Sequence, residues 1–180
     1  METSFRPATR DDITFIAQNM RDADIAELKA AHGEGISIDT ALYMSFIRSE
    51  ECSVWLTPEG EPMAVFGFTK LHHRPGVLVP WLLGTDKLKM HAKAYITEAK
   101  RVIDAKLELA PYLFNFVHAS NKASVRFLKL IGFTIHEAEP FGKKGEMFHM
   151  FDKGDLSAYV NTPAYDTLLT STKEETRHVH

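Results

Sequence analysis

Glu27, His72, His73, His91 and His118 are the side chains that best suit proton transfer near neutral pH. A carboxylate or imidazole that can gain or lose a proton near the working pH can serve as general acid or base. Each also has a plainer reading. Glu27 falls on a helical segment, where it could merely solvate an outer face. His91 lies between Leu88 and Tyr95 on the inward stripe of a long helix, where a hydrogen-bonded structural role is favoured over a catalytic one. His118 follows the apolar run 113–117, and strand alternation decides which way its ring turns. His72 and His73 are adjacent in a loop, which gives no convergent geometry, and no Cys or His spacing supports zinc, so no metal is expected. Arg126, Lys129, Lys143 and Lys144 read either as a local phosphate patch or as solvated charges.

Composition narrows the classes. The chain has 180 residues, 44% hydrophobic and 25% charged, enough for one sizeable core. A formal net charge of -3 gives no global pull toward nucleic acid or anionic lipid. No stretch approaches the roughly 18 apolar residues of a membrane span, and the start lacks a basic segment followed by an apolar run. The single cysteine, Cys52, stands beside Ser53, Val54 and Trp55 in a strand and reads as a buried, unreactive thiol. There is no nucleotide-binding Gly-rich loop, Ser-His-Asp signature or internal repeat.

Periodicity then supplies the elements that position these groups. Phe5 and Arg6 suit a short first strand, and Thr9 with Asp12 forms a capping-box pattern for a helix carrying Ile13, Ile16, Ala17 and Met20. Asp22 starts a second helix with Ile25 and Leu28, ending near Gly33, and Ser37 or Asp39 starts a third with Leu42, Phe46 and Ile47. Strands 52–56 and 63–68 follow as a hairpin around Pro58 and Gly60. A further strand lies within 76–83, where Pro80, lacking an amide hydrogen, predicts a bulge or bend. Leu88, Ala92, Tyr95, Ala99 and Val102 predict one long helix up to Pro111. The run 113–117 is a strand; Ser120 or Asn121 caps a helix closed by Gly132; and strands 133–138 and 147–151 complete the order β-α-α-α-β-β-β-α-β-α-β-β.

The stretch 121–133, with its opening Asn121 and closing Gly132 and Phe133, together with that order, resembles the Gcn5-related N-acetyltransferase (GNAT) superfamily over residues 5–152. The resemblance implies an α/β fold with a mixed, mostly antiparallel sheet flanked by helices. A narrower likeness is to bacteriophage proteins related to the internal virion protein of short-tailed phages, carried by residues 6–9, 81–86, 121–133 and the hairpin 141–145 with Phe148 and Phe151. In the superfamily the fourth strand parts from the fifth, and the exposed backbone binds the pantetheine arm of acetyl-CoA. By resemblance Leu82, Gly84, Thr85 and Asn121 are cofactor-binding, and Glu27, in a helix bordering the acceptor pocket, and His91 are the catalytic candidates. Two positions depart from the family pattern. Asp86 stands where a phosphate-binding glycine motif is usual, and Leu128 where many members place the tyrosine that protonates the leaving thiolate.

The resemblance implies an acyltransferase moving an acetyl group from acetyl-CoA to an amine. The alternative is a non-catalytic phage internal virion or host-interaction component that keeps the fold as a scaffold. Partners follow: acetyl-CoA and an amine in the first case, phage structural proteins in the second, with no nucleic acid and no membrane. The expected location is host cytoplasm or the inside of the virion. Residues 1–152 read as the domain and 153–180, polar and poor in core formers, as an extended or disordered tail that could dock on another subunit.

Overall fold

Local signals in the chain account for where its helices begin. The computed structural model describes residues 4–71, 74 and 76–157. Strand β1 (Ser4–Pro7) leads into α1 (Arg10–Gln18), α2 (Asp22–His32) and α3 (Ile38–Arg48). Thr9 and Asp12 form the reciprocal capping box at α1, and Arg6 of β1 reaches the same Asp12 carboxylate at 2.7 Å, tying strand to helix. Arg21, not Asp22, is the cap residue of α2, and Ser37 caps α3 by accepting from the Thr40 amide at 3.3 Å.

Strands β2 (Glu51–Leu56), β3 (Pro62–Lys70) and β4 (Val77–Gly84) follow as an antiparallel meander. After α4 (Lys87–Met90) and α5 (Ala92–Leu109) come β5 (Tyr112–His118), α6 (Lys122–Leu130), β6 (Thr134–Phe141) and β7 (Glu146–Gly154). The seven strands form one sheet in the order β1-β2-β3-β4-β5-β7-β6, with β4 and β5 parallel and the other neighbours antiparallel.

Alternation divides the sheet between two cores. Val54, Val65, Val79, Phe114 and Phe116 face α1, α2 and α3, whereas Trp55, Phe66, Leu78, Leu113 and Val117 face α5 and α6. Phe141 and Phe148 join the first core and Phe151 the second, so these aromatics close the interior. The turn between β6 and β7 packs on the end of α2. Gly142, at φ 75°, leaves no room for a side chain because an added Cβ would lie 2.7 Å from Ala31 Cα, and the Lys143 amide donates to Ala31 O at 2.9 Å.

Three features differ from the sequence expectation. The long helix is broken at His91 into α4 and α5. Thr85 donates to Met63 O from its amide at 2.9 Å and from its hydroxyl at 3.1 Å, so the chain leaves the sheet in a tight turn before α5 can start. No bulge forms at Pro80, since β4 pairs with β3 in unbroken register from Lys70↔Leu78 to Ala64↔Gly84. Pro80 shows its missing donor to the β5 side, where the ladder has already ended.

The last strand also continues past Asp152. Lys153 Nζ bonds Asp104 at 2.6 Å, and Gly154, at φ 113°, passes so close to Pro111 O that a Cβ would sit 2.1 Å from it. The expected tail therefore begins beyond this strand, and residues 158–180 of it lie outside the described residues. A chain ending at Ser157 is expected to melt roughly 2–8 °C above one ending at Asp152, about 1–2 kcal/mol in a domain of this size. Equal midpoints in thermal scans would show that the end of β7 contributes nothing.

Candidate active site in the parting of two strands

Strands β4 and β5 pair only where Val77 meets Tyr112 and Leu78 meets Leu113, and then separate. Pro80 has no N–H with which to continue the ladder. Across the gap the Asn115 side chain donates to Pro80 O at 2.9 Å, while its own Oδ1 accepts from the Phe116 amide at 2.7 Å. Backbone alternation fixes which groups face the opening. The Thr85 amide bonds back to β3 and the Gly84 amide turns the other way, which places the Leu82 amide on the open edge with Gly84.

A cavity of about 90 Å³ occupies this parting. Its wall is mostly apolar, with Ala99, Val102 and Ile103 from α5, Leu128 and Ile131 from α6, and Trp55 and Phe66 from the sheet. Two carboxylates from α2, Asp24 and Glu27, stand at its other side.

Arg21, Asp24 and Glu27 recur every third residue and share one side of α2. The Arg21 guanidinium donates to both Asp24 oxygens, at 2.6 Å to Oδ1 and at 2.8 and 3.0 Å to Oδ2. Asp24 also accepts the Gly84 amide at 2.9 Å, and the Arg21 amide donates to Gly84 O at 2.9 Å. Burial pushes the Asp24 carboxyl above the ordinary carboxylate range, and the arginine fork draws it only partly back.

Glu27 has a different setting. Its Oε2 accepts the His118 amide and Asn121 Nδ2, each at 3.1 Å, so one carboxylate joins α2, the end of β5 and the start of α6. Burial, reinforced by the neighbouring Asp24 charge, pushes its carboxyl up to about 7, against the pull of those two hydrogen bonds. The residue is only half-buried, so the group stays reachable. A carboxyl that exchanges its proton near neutral pH at the rim of a cavity suits general-base work.

The structure thus brings Glu27, Leu82 and Asn121 together. Asn121 is both the cap of α6, accepting the Ser124 amide at 3.3 Å, and the side chain that holds Glu27. Gly84 and Thr85 border the same edge, but their amides are committed to Asp24 and Met63. His91 sits half-buried at the break between α4 and α5, outside the cavity wall. The His118 ring turns from the gap to Ser120 Oγ at 2.6 Å and Glu146 at 2.8 Å, leaving only its backbone amide to the site. His72 and His73 lie outside the described residues.

Asp86 pairs with Lys89 at 2.7 Å, and Lys144 bridges Glu34 and Glu146. Arg126 and Lys129 are exposed on the side of α6 opposite Ser124, Phe127 and Ile131. Burial pushes the Cys52 thiol up to about 12, which makes it inert. Among the described residues there is no group of three or more His, Cys, Asp or Glu able to hold a metal ion, and no helix long and apolar enough to cross a membrane. Sequence reasoning missed Asp24, Arg21, Asn115 and Trp55. The three-residue spacing from Arg21 to Glu27 was a usable signal for the first two.

No protein-family model matches the sequence, and no curated protein sequence matches it. Solved structures do. A spermidine N-acetyltransferase from Vibrio cholerae in complex with CoA and spermine superposes with a TM-score of 0.61 at 14% identity, covering 85% of this chain and 95% of its own. A ribosomal-protein-alanine N-acetyltransferase from Brucella melitensis gives 0.62 at 14% identity over 84% and 99%, and an N-acetyltransferase from Staphylococcus aureus gives 0.62 at 15% over 86% and 99%. Likeness at these identities concerns architecture, and with the parted strands and mixed seven-stranded sheet it establishes that the chain has the GNAT fold.

Proposed function

We propose that the chain transfers an acyl group, acetyl in the simplest case, from a coenzyme A thioester to an amine. The observation that carries this reading is the half-buried Glu27, its carboxyl poised at about 7 beside the gap between β4 and β5. Coenzyme A would supply a carbonyl activated by its bond to sulfur. The Leu82 amide, on the open edge, is the donor for the carbonyl oxygen as negative charge grows there. Glu27 takes the proton of the attacking amine, directly or through one water, while the new C–N bond forms and the C–S bond breaks. The thiolate leaves as an anion or takes a proton from water, since Leu128, in the cavity wall, has none to give. Asn121 holds Glu27 toward the gap. Gly84 and Thr85 enter as backbone lying against the arm rather than as phosphate donors, because their amides are spent. His91 is given no step.

A second reading, a phage internal virion or host-interaction component without catalysis, draws on specific observations. The Gly84 amide is capped by Asp24, and leucine stands at position 128. Calorimetric titration with acetyl-CoA separates the two readings. A dissociation constant from below micromolar to tens of micromolar supports the transferase, and no heat at millimolar ligand together with association with particle proteins supports the scaffold.

For the transferase, thiol release with a panel of amines is expected to rise with pH through about 7, as Glu27 loses its proton. Glu27→Gln should lower it by roughly 10²- to 10⁴-fold with acetyl-CoA binding retained. In Asn121→Ala, which removes a hydrogen bond to the charged carboxylate, the midpoint should move upward. A flat profile, or full activity in Glu27→Gln, would take the base role from this residue.

The same group makes stability depend on pH. Its folded value lies above the ordinary 4.5, so between 4.5 and about 7 the folded state binds the extra proton and stability falls as pH rises. The fall is up to ~3 kcal/mol, and Glu27→Gln should flatten it. Urea unfolding at pH 5 and pH 8 reads this directly. Wild type and variant with the same slope would exclude the assignment.

A further inference from the structure

Outside the cavity, three side chains at the end of β5 meet in series. The Ser120 hydroxyl lies 2.6 Å from His118 Nδ1, and His118 Nε2 lies 2.8 Å from Glu146 Oε2. One further bond fixes the direction of the series. The Ser120 amide, which can only donate, also reaches His118 Nδ1, at 3.3 Å, so that nitrogen holds the lone pair and Nε2 the hydrogen. The hydroxyl therefore donates to Nδ1, and Nε2 donates to the carboxylate. Each partner is held from outside. The imidazole stands edge-on to Phe148 with ring centres 4.8 Å apart, and its side chain is 12% exposed. Glu146 takes Lys144 on its other oxygen at 2.8 Å, and Lys144 and His118 together keep its carboxyl below the ordinary range, so it stays an acceptor. The turn itself is closed by the Asn121 amide on His118 O at 2.9 Å, which leaves the hydroxyl contact unneeded for holding the backbone. Ser120 is exposed, and a reagent in solvent can reach it. Next in the chain comes α6, whose first turn offers a positive dipole end and the Ala123 amide, which has no acceptor within the helix.

Going beyond the transferase reading and independently of it, we propose that Ser120, His118 and Glu146 form a second reactive centre, in which the Ser120 hydroxyl takes an acyl group from an activated ester and passes it to water. A hydroxyl is a weak nucleophile until a base receives its proton, and a base placed at hydrogen-bond distance and oriented by a third group meets that need. His118 Nδ1 accepts the proton as the Ser120 Oγ–C bond forms. The bond from the acyl carbon to the leaving oxygen then breaks, and the leaving alcohol takes the proton from the imidazolium. Water attacks the acyl-serine next, giving its proton to Nδ1, and that proton returns to Ser120 Oγ as the acid departs. The sum is ester plus water to acid plus alcohol. Glu146 keeps the hydrogen on Nε2 and opposes the positive charge that the ring gains. No sequence signature shows this set, because its carboxylate comes from another strand. The register pairs His118 with Phe148, which puts Glu146, two residues earlier, on the same face of β7.

The test uses the full chain with p-nitrophenyl acetate, without coenzyme A or amine, quenched in acid and read by peptide mass spectrometry. The wild-type chain should release nitrophenolate and carry one acetyl group on Ser120. Ser120→Ala, a change at an exposed position, should abolish the acetylated peptide while the thermal midpoint stays in place. His118→Gln should slow acetylation of Ser120 roughly 10²- to 10⁴-fold, the usual contribution of a general base. Glu146→Gln, which leaves Nε2 without a charged acceptor, should slow it by a smaller factor. A fluorophosphonate should label the same serine in the wild-type chain, which keeps the test decisive where a variant misfolds. Acetyl found on other residues alone, a wild-type Ser120 that stays unmodified by both reagents, or acetylation undiminished in a folded His118→Gln chain overturns the centre. Because the assay holds neither coenzyme A nor amine, its failure leaves the transferase reading standing, and a chain that does not bind acetyl-CoA can still pass it.

Discussion

The site depends on a parallel pair of strands that stops after two residue pairs. Parallel neighbours buried on both faces normally pair along their length, because an unpaired backbone group away from water costs as much as a lost hydrogen bond. Here the cost is limited in two ways. Pro80 brings no amide to the edge, and its carbonyl is satisfied by Asn115. The strands are held at a set distance by a side chain rather than by a ladder, so the gap is part of the fold.

Helix α2 completes what the strands leave open. Asp24 caps the Gly84 amide at the end of β4, and Glu27 caps the His118 amide at the end of β5. One helix therefore supplies a carboxylate to each lip. The two differ in how their charge is met. Asp24 has the Arg21 fork, which partly offsets the desolvation of a buried carboxylate. Glu27 is half-buried beside a negative neighbour, and its two neutral donors oppose this only in part, so its proton is held more firmly than in water. Two carboxylates three positions apart thus differ in whether an arginine forks them. The apolar faces of α5 and α6 line the rest of the cavity.

Much of this architecture was legible before any coordinates. The capping box of Thr9 and Asp12, the Asn121 cap and the left-handed stop at Gly132, φ 93°, rest on interactions within a few residues, and sequence spacing shows those directly. The bulge expected at Pro80 is absent because a proline disturbs a strand only on the side where its N–H would have been used, and on that side its neighbour is Asn115, 35 positions on. The continuous helix across His91 failed for a similar reason, since the tie from Thr85 to Met63 comes from another strand.

From residue types and their spacing alone came the order of elements, apart from the break between α4 and α5, and the presence of a carboxylate on α2. These are matters of local geometry and hydrophobic period, which the chain carries at short range. Where the carboxylate sits was settled elsewhere. Glu27 meets Asn121 across 94 positions, and Asp24 meets Gly84 across 60. Helical spacing says that Arg21, Asp24 and Glu27 share a side, but not that this side turns into the gap between β4 and β5. Only packing of α2 against the parted strands removes water from the carboxyl, and its shifted affinity for a proton follows from that desolvation.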